Sequence, residues 1–208
     1  MNYKRTFIDD NEINTIPTDL GYDLKVFNSP KELTNAIKIK AEDTASGISR
    51  VIATFDWKFK EKKRPDDAEY WYVKEDNWEM PWNLQLKEDN KTQRRKNRHL
   101  SWGEQPHTIN EVGSTYTVQG LDLNYAGVII GPSVKYRDGK VVYDPSRSKN
   151  ASATQNRTLE DGTKQKFGEK LIKNELNVLL TRGVNGLYLY AVDDELQKAL
   201  MKAYRESL

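Results

Sequence analysis

The chain has 208 residues, 37% hydrophobic and 31% charged, with 33 Lys and Arg against 31 Asp and Glu for a formal net charge of +2. That length suits one domain with a real core and room for a large insertion. The absence of cysteine excludes disulfide scaffolds and thiolate metal sites and fits a reducing compartment, while the two histidines, His99 and His107, share no HxxxH or HxxE spacing and argue against a zinc enzyme.

The N-terminal MNYKRTFIDDNEIN has no apolar leader core. No run approaches the roughly 18 apolar residues of a membrane span, so the expected location is cytoplasmic, with no membrane partner. Residues 1–21 read as an arm or linker and 22–208 as one domain. YDLKVFN (22–28) predicts a short strand. Ser29-Pro30-Lys31-Glu32 predicts a helix start, with Ser29 as cap, Pro30 at the first helical position and Glu32 closing a capping box. Leu33, Ala36, Ile37 and Ala41 continue that helix at helical spacing. After Gly47, ISRVIATFDW predicts a strand rich in β-branched and aromatic residues. Strand, helix and strand of these lengths form a βαβ unit, which implies a parallel pair.

From about 58 to 110 the periodicity gives way to polar, aromatic and basic residues, and the stretch reads as an insertion with little regular structure. Lys58, Lys60, Lys62, Lys63 and Arg64 form one basic run, and Lys91, Arg94, Arg95, Lys96 and Arg98 a second. All five tryptophans, from Trp57 to Trp102, lie in or beside this stretch. Cations interleaved with flat rings suit nucleic acid, because phosphates need positive charge and unstacked bases need platforms. The alternative is a solvated loop anchored to the core by its tryptophans.

Regular order resumes at Val112. AGVIIG (126–131) predicts a strand apolar on both faces, as in the middle of a covered parallel sheet. VKYRDGKVVYD predicts a hairpin turning at Asp138-Gly139, and the apolar-poor 145–165 a mobile surface loop. Residues 168–182 predict a helix with Leu171, Ile172, Leu176, Leu179 and Leu180 inward and Gly183 at its C-cap. LYLYAV follows as a buried strand, and Asp193 caps a final helix. The sum is an open α/β sheet, mostly parallel, with a hairpin and one large insertion.

No GxxxxGK[ST] phosphate loop and no GxGxxG occur. Asp138-Gly139-Lys140-Val141 lacks the upstream glycine and the Ser or Thr, and is explained by the hairpin turn. LYLYAVDDE looks like a strand presenting a magnesium-linked acid, but Asp193 as a helix cap accounts for it. Three segments remain: SRVIATFDW, GSTYTVQGLDLNYAGVIIG and NELNVLLTRGVNGLYLYAV.

Their order and content resemble the C-terminal motor domain of superfamily-one helicases, which carries a T-x-H-x-x-Q-G-x-E motif before a buried strand and later a V-A-L-T-R-A-type motif. Here these become Ser114-Thr115-Tyr116-Thr117-Val118-Gln119-Gly120-Leu121-Asp122 and Val178-Leu179-Leu180-Thr181-Arg182-Gly183. ATFDWKF, Met80-Pro81-Trp82-Asn83, YTVQGLDLNYAGVIIGP, YRDGK and LLTRG occur in the order found in bacterial ATPases related to the Schlafen helicase-like domains. The resemblance spans about 22–200.

The resemblance implies a RecA-like, P-loop-NTPase-type sheet with helices on both faces. It implies that ATP and Mg2+ are shared with an N-terminal RecA-like domain that carries the phosphate loop, so this chain alone is expected to be inactive. Arg182 would be the catalytic arginine finger, or else a basic residue set against a helix dipole. Gln119, Gly120, Asp122 and Thr181 would join it at the nucleotide, with Asp122 standing where the helicases have Glu; a plain turn is the alternative for the first three. Ser114, Thr115, Tyr116 and Trp57 would meet single-stranded DNA or RNA, against strand packing for the first three and sheet-edge cover for Trp57. A module that binds nucleic acid or a partner without motor action is the alternative function. A nuclease is disfavoured, because no tight cluster of acids with Lys or His is evident.

Overall fold

The structure is a computed structural model, and it describes residues 8–9, 11–13, 21–43, 47–154, 157–158 and 164–207. Most of the N-terminal arm and part of the 145–165 loop therefore lie outside the described residues.

Two short strands, β1 (Ile8–Asp9) and β2 (Glu12–Ile13), pair as a hairpin. The central sheet then begins with β3 (Asp23–Val26), followed by α1 (Pro30–Glu42) and β4 (Ser49–Ala53). Helix α1 starts as its sequence dictates: Ser29 Oγ accepts from the Glu32 amide at 3.2 Å, and Pro30 opens the first turn. The Glu32 carboxylate accepts from the amide of Asn28, 3.3 Å away, so the reciprocal half of the box closes one residue early.

The stretch after β4 is more ordered than its composition suggests. It holds a hairpin of β5 (Tyr72–Glu75) and β6 (Trp78–Pro81), helix α2 (Lys91–Asn97) and two 3-10 turns, Trp102–Glu104 and Pro106–Asn110. The long strand β7 (Leu123–Ile130) follows, then the hairpin of β8 (Val134–Arg137) and β9 (Lys140–Tyr143), turning at Asp138-Gly139 as predicted. A short helix α3 (Ala151–Thr154) and a small pair, β10 (Arg157–Thr158) with β11 (Lys164–Gln165), lead to α4 (Gly168–Leu180). Strand β12 (Gly183–Ala191) and helix α5 (Asp194–Glu206) complete the chain, with Asp193 capping α5 through a bond from the Leu196 amide.

The four central strands are all parallel, in the order β3-β12-β7-β4. The strands of the βαβ unit, β3 and β4, are thus parallel but sit at opposite edges rather than side by side. The sheet reaches its order only when β7 and β12, far along the chain, insert between them. Helix α1 spans the gap, packing on β4, β7 and β12. On its face Leu33 and Ile37 meet Val51, Ala53, Ile129, Tyr188 and Tyr190. On the other face Ile52, Val128, Ile130 and Leu189 meet Ile172, Leu176 and Leu179 of α4 and Leu196 and Leu200 of α5. Alternate residues of each strand feed alternate cores, as strand geometry requires, which makes this an α/β fold with helices on both faces.

The outer edge of β4 is covered: Gly113 donates to Val51 O and accepts from the Ala53 amide, both at 2.9 Å, and Val112 in turn bridges to Trp82. Gly183 is not the C-cap of α4. Thr181 holds that place, and Gly183 starts β12, where an added Cβ would lie 2.2 Å from the Gly186 carbonyl oxygen.

Candidate functional site

The GSTYTVQG segment follows directly from the Val112–Gly113 bridge and folds into a compact turn. Thr117 Oγ1 accepts from the Ser114 amide at 2.8 Å and donates to Ser114 O, while the amides of Thr117 and Val118 bond back to the same carbonyl. Val118 is fully buried beneath the turn. Gly120 ends it at φ +74, a left-handed conformation that any Cβ would strain, with nothing within 4 Å of the position a Cβ would take.

This turn faces one stripe of α4. Leu171, Asn174, Glu175 and Val178 recur every three or four residues along it, and Arg182 continues the stripe just past the helix end. Together with Thr115, Tyr116, Gln119, Gly120 and Asn150 they line a groove of about 450 Å³. Arg182 is fixed in it by both walls. Its Nε donates to Val178 O at 3.0 Å and its Nη1 to Leu121 O at 3.4 Å, and Nη1 lies 3.5 Å from Asp122 Oδ1. Nη2 makes no hydrogen bond among the described residues.

Midway along the helical stripe Glu175 is buried, and beneath it the segment after β4 brings a second buried acid, Asp56. Glu175 Oε1 accepts from the Phe55 amide at 2.6 Å, and Asp56 Oδ2 accepts from Thr54 Oγ1 and the Ser133 amide, each at 3.0 Å. Burial pushes the Glu175 carboxyl up to about 7, against the bond from Phe55 and with help from the neighbouring Asp56 charge. Burial raises Asp56 as well, although its bonds from Ser133 and Thr54 resist. The Phe55 carbonyl in turn accepts from the Lys149 amide at 2.8 Å and from Ser148 Oγ at 3.3 Å. This segment beyond the C-terminal end of β4 is therefore clamped from both sides. Such ends are where open α/β sheets place their ligands.

The residues singled out in the sequence part into two groups. Arg182, Gln119, Gly120, Thr115 and Tyr116 converge on the groove, and Asp122 reaches Arg182 from outside its lining. Three do not converge. Thr181 turns its hydroxyl back onto Asn177 O and Val178 O of its own helix. Ser114 is completely buried and donates to Asn83 Oδ1, so its hydroxyl meets protein rather than a phosphate. Trp57 donates to Lys74 O at 2.9 Å and packs edge-on to Trp82, half-buried over the second core and away from the groove.

Asn150, Asn174 and Glu175 belong to the groove and escaped the sequence reading. For Glu175 a signal was present: it stands seven residues before Arg182, on the stripe that Arg182 continues past the helix end.

A parallel α/β domain in which two distant polar segments meet across a ligand-sized groove is what fold and site define. Residues 1–193 match the family described as Schlafen group 3, DNA/RNA helicase domain, and the chain belongs to that family. It is also similar to the uncharacterized protein YPL245W of Saccharomyces cerevisiae, 36% identical over 185 residues that cover 88% of this chain and 37% of the yeast protein. The chain thus spans little more than a third of that relative's length. No solved structure matches it. No helix among the described residues is long and apolar enough to cross a membrane.

Proposed function

We propose that this chain is the second, RecA-like motor domain of a nucleic-acid-dependent ATPase, and that its groove forms one wall of a nucleotide site completed by a domain bearing a phosphate loop. The observation that carries this reading is the junction of Arg182 with the 119–122 turn. Two motifs about sixty residues apart in sequence are tied through Leu121 O and Asp122 to one guanidinium.

The donor set suits a phosphate ester. Arg182 has its Nη2 group to offer, Gln119 is exposed at the rim with both a donor and an acceptor, and Gly120 leaves bare backbone for close approach. A guanidinium held by carbonyls is pre-oriented, and stabilisation of charge on a transferring phosphoryl group by such a residue is worth about 10³–10⁵ in rate. Asp122 would accept from a ribose hydroxyl or orient Arg182. Mg2+ would be held elsewhere, since no three His, Asp or Glu among the described residues gather into a site. Thr115 and Tyr116 would face single-stranded nucleic acid beyond the groove.

The test is ATP hydrolysis by the intact protein carrying Arg182→Ala and, separately, Arg182→Lys. The reading requires a loss of about 10³-fold or more in the first, in a variant that still folds cooperatively. Hydrolysis at the parent rate would remove Arg182 from the chemistry.

A further inference from the structure

A second, larger cavity of about 870 Å³ adjoins the groove, with Tyr116 and Asn150 lining both. Tyr116 Oη donates to Asn150 Oδ1 at 3.1 Å, forming the partition between them. The insertion supplies most of the far wall. We propose that this cavity receives one unstacked base of a single-stranded nucleic acid, with the strand's phosphates lying along the basic runs outside. The proposal rests on the nucleic-acid half of the function proposed above and assigns it a place.

Three independent observations point to a flat, partly apolar ligand that carries anionic charge. The first is the lining. Phe55 anchors a set of rings, with Tyr116 edge-on at 5.5 Å and 89° and Phe59 edge-on at 6.5 Å and 85°. Tyr116 remains 56% exposed, so its ring is available to a planar partner. The second is backbone strain at the rim. Asn83 and Leu84 are consecutive non-glycine residues at φ +68 and +64, and Leu84 is 58% exposed. A leucine gains nothing from a left-handed backbone and an uncovered side chain. The conformation is imposed by the bond from the Asn83 amide to Val112 O and by the Ser114 hydroxyl on Asn83, and it holds an apolar side chain at the cavity mouth. Strain of this kind collects at ligand clamps.

The third observation is charge. Lys149 lines the cavity, and Lys58, Lys60 and Lys62 alternate with Phe59 and Glu61 of its wall. Arg98 precedes Leu100 of the same wall by two residues. A free nucleotide with several phosphates would need its cations gathered at one point. Among the described residues Lys149 is the one cation in the lining, and the others follow its wall along the chain, which fits a backbone with one phosphate per nucleotide.

The experiment measures binding of a labelled single-stranded oligothymidylate, its abasic counterpart with the same phosphate backbone, and free thymidine monophosphate as competitor, all without ATP. An oligouridylate arm repeats it for RNA. We expect the base-bearing strand to bind about tenfold tighter than the abasic one. Tyr116→Ala and Phe59→Ala should bring that ratio towards one while leaving abasic binding in place. Tyr116 is exposed enough for its variant to fold even if the Phe59 variant does not. Leu84→Gly is the sharper variant: it should raise the melting temperature by relieving the backbone and lower the base-dependent ratio. A raised melting temperature with an unchanged ratio would make Leu84 merely structural and overturn the clamp. Equal binding of the two strands would overturn the cavity but leave the phosphate contacts standing. Displacement by the mononucleotide as effective as by the strand would reassign the cavity to a free nucleotide. Failure of both strands to bind would overturn this proposal and the nucleic-acid half of the function, without touching the Arg182 test.

Discussion

Ser114 Oγ donates to Asn83 Oδ1 at 2.7 Å, joining two buried side chains 31 residues apart. The bond ties the polar turn of the groove to the end of the hairpin in the insertion. Ser114→Ala would strand a buried acceptor, and should lower stability by about 1–3 kcal/mol. Chemical denaturation reads this as a lower midpoint at unchanged slope. An unaltered midpoint would mean that the hydroxyl is not a strut.

Glu175 should make stability fall as pH rises. Its native carboxyl titrates near 7, well above that of an unfolded chain, so between those values the native state holds a proton that the unfolded state has released. Stability from this group is full below the unfolded value and is lost as pH climbs through 7, a contribution of about 3 kcal/mol at most. Glu175→Gln keeps an acceptor for the Phe55 amide and removes the titration. Its melting temperature should match the parent near pH 5 and exceed it near pH 8. Parallel curves across that range would refute the assignment.

Trp57→Phe keeps a ring against Trp82 and loses the bond to Lys74 O. It should cost about 1 kcal/mol or less and leave affinity for single strands unchanged. A marked loss of affinity in a folded variant would restore Trp57 as a stacking platform.

Gly120→Ala should cost about 1–2 kcal/mol through backbone strain alone, because open space surrounds the position. Gly120→Asn should cost less, since asparagine tolerates the left-handed region. If nucleotide approaches this backbone closely, both variants should weaken its binding; the prediction fails if ATP affinity in the intact protein is indifferent to both.

The parts of the fold that were legible are those decided locally. Ser29 and Asp193 announce their helices because a cap is a short-range bond, and AGVIIG announces a central strand because both faces need cover. Strand order was not legible: the neighbours of β3 and β4 are chosen by burial against β7 and β12, which no local period records. The hairpin of β5 and β6 hid because its strands are four residues each and its turn uses Asp76 at φ +48 rather than glycine. In the site, Arg182, Gln119 and Gly120 stood out as a motif. Glu175 did not, because an acid on a helix stripe reads as solvent-facing until a neighbouring segment covers it. Trp57 was ambiguous for the opposite reason, since an aromatic before a basic run looks alike whether it shields a core or waits for a base.

The Val112–Gly113 bridge gives the insertion a standing that its composition conceals. Excising residues 58–110 would do more than shorten a loop. Val112 would lose its bridge to Trp82, so the Gly113 contact that keeps foreign chains off the hydrogen-bonding groups of β4 would lose its outer support, and bare strands recruit one another. A trimmed version of this protein is therefore expected to self-associate, unless a substitute cap for β4 is engineered in its place.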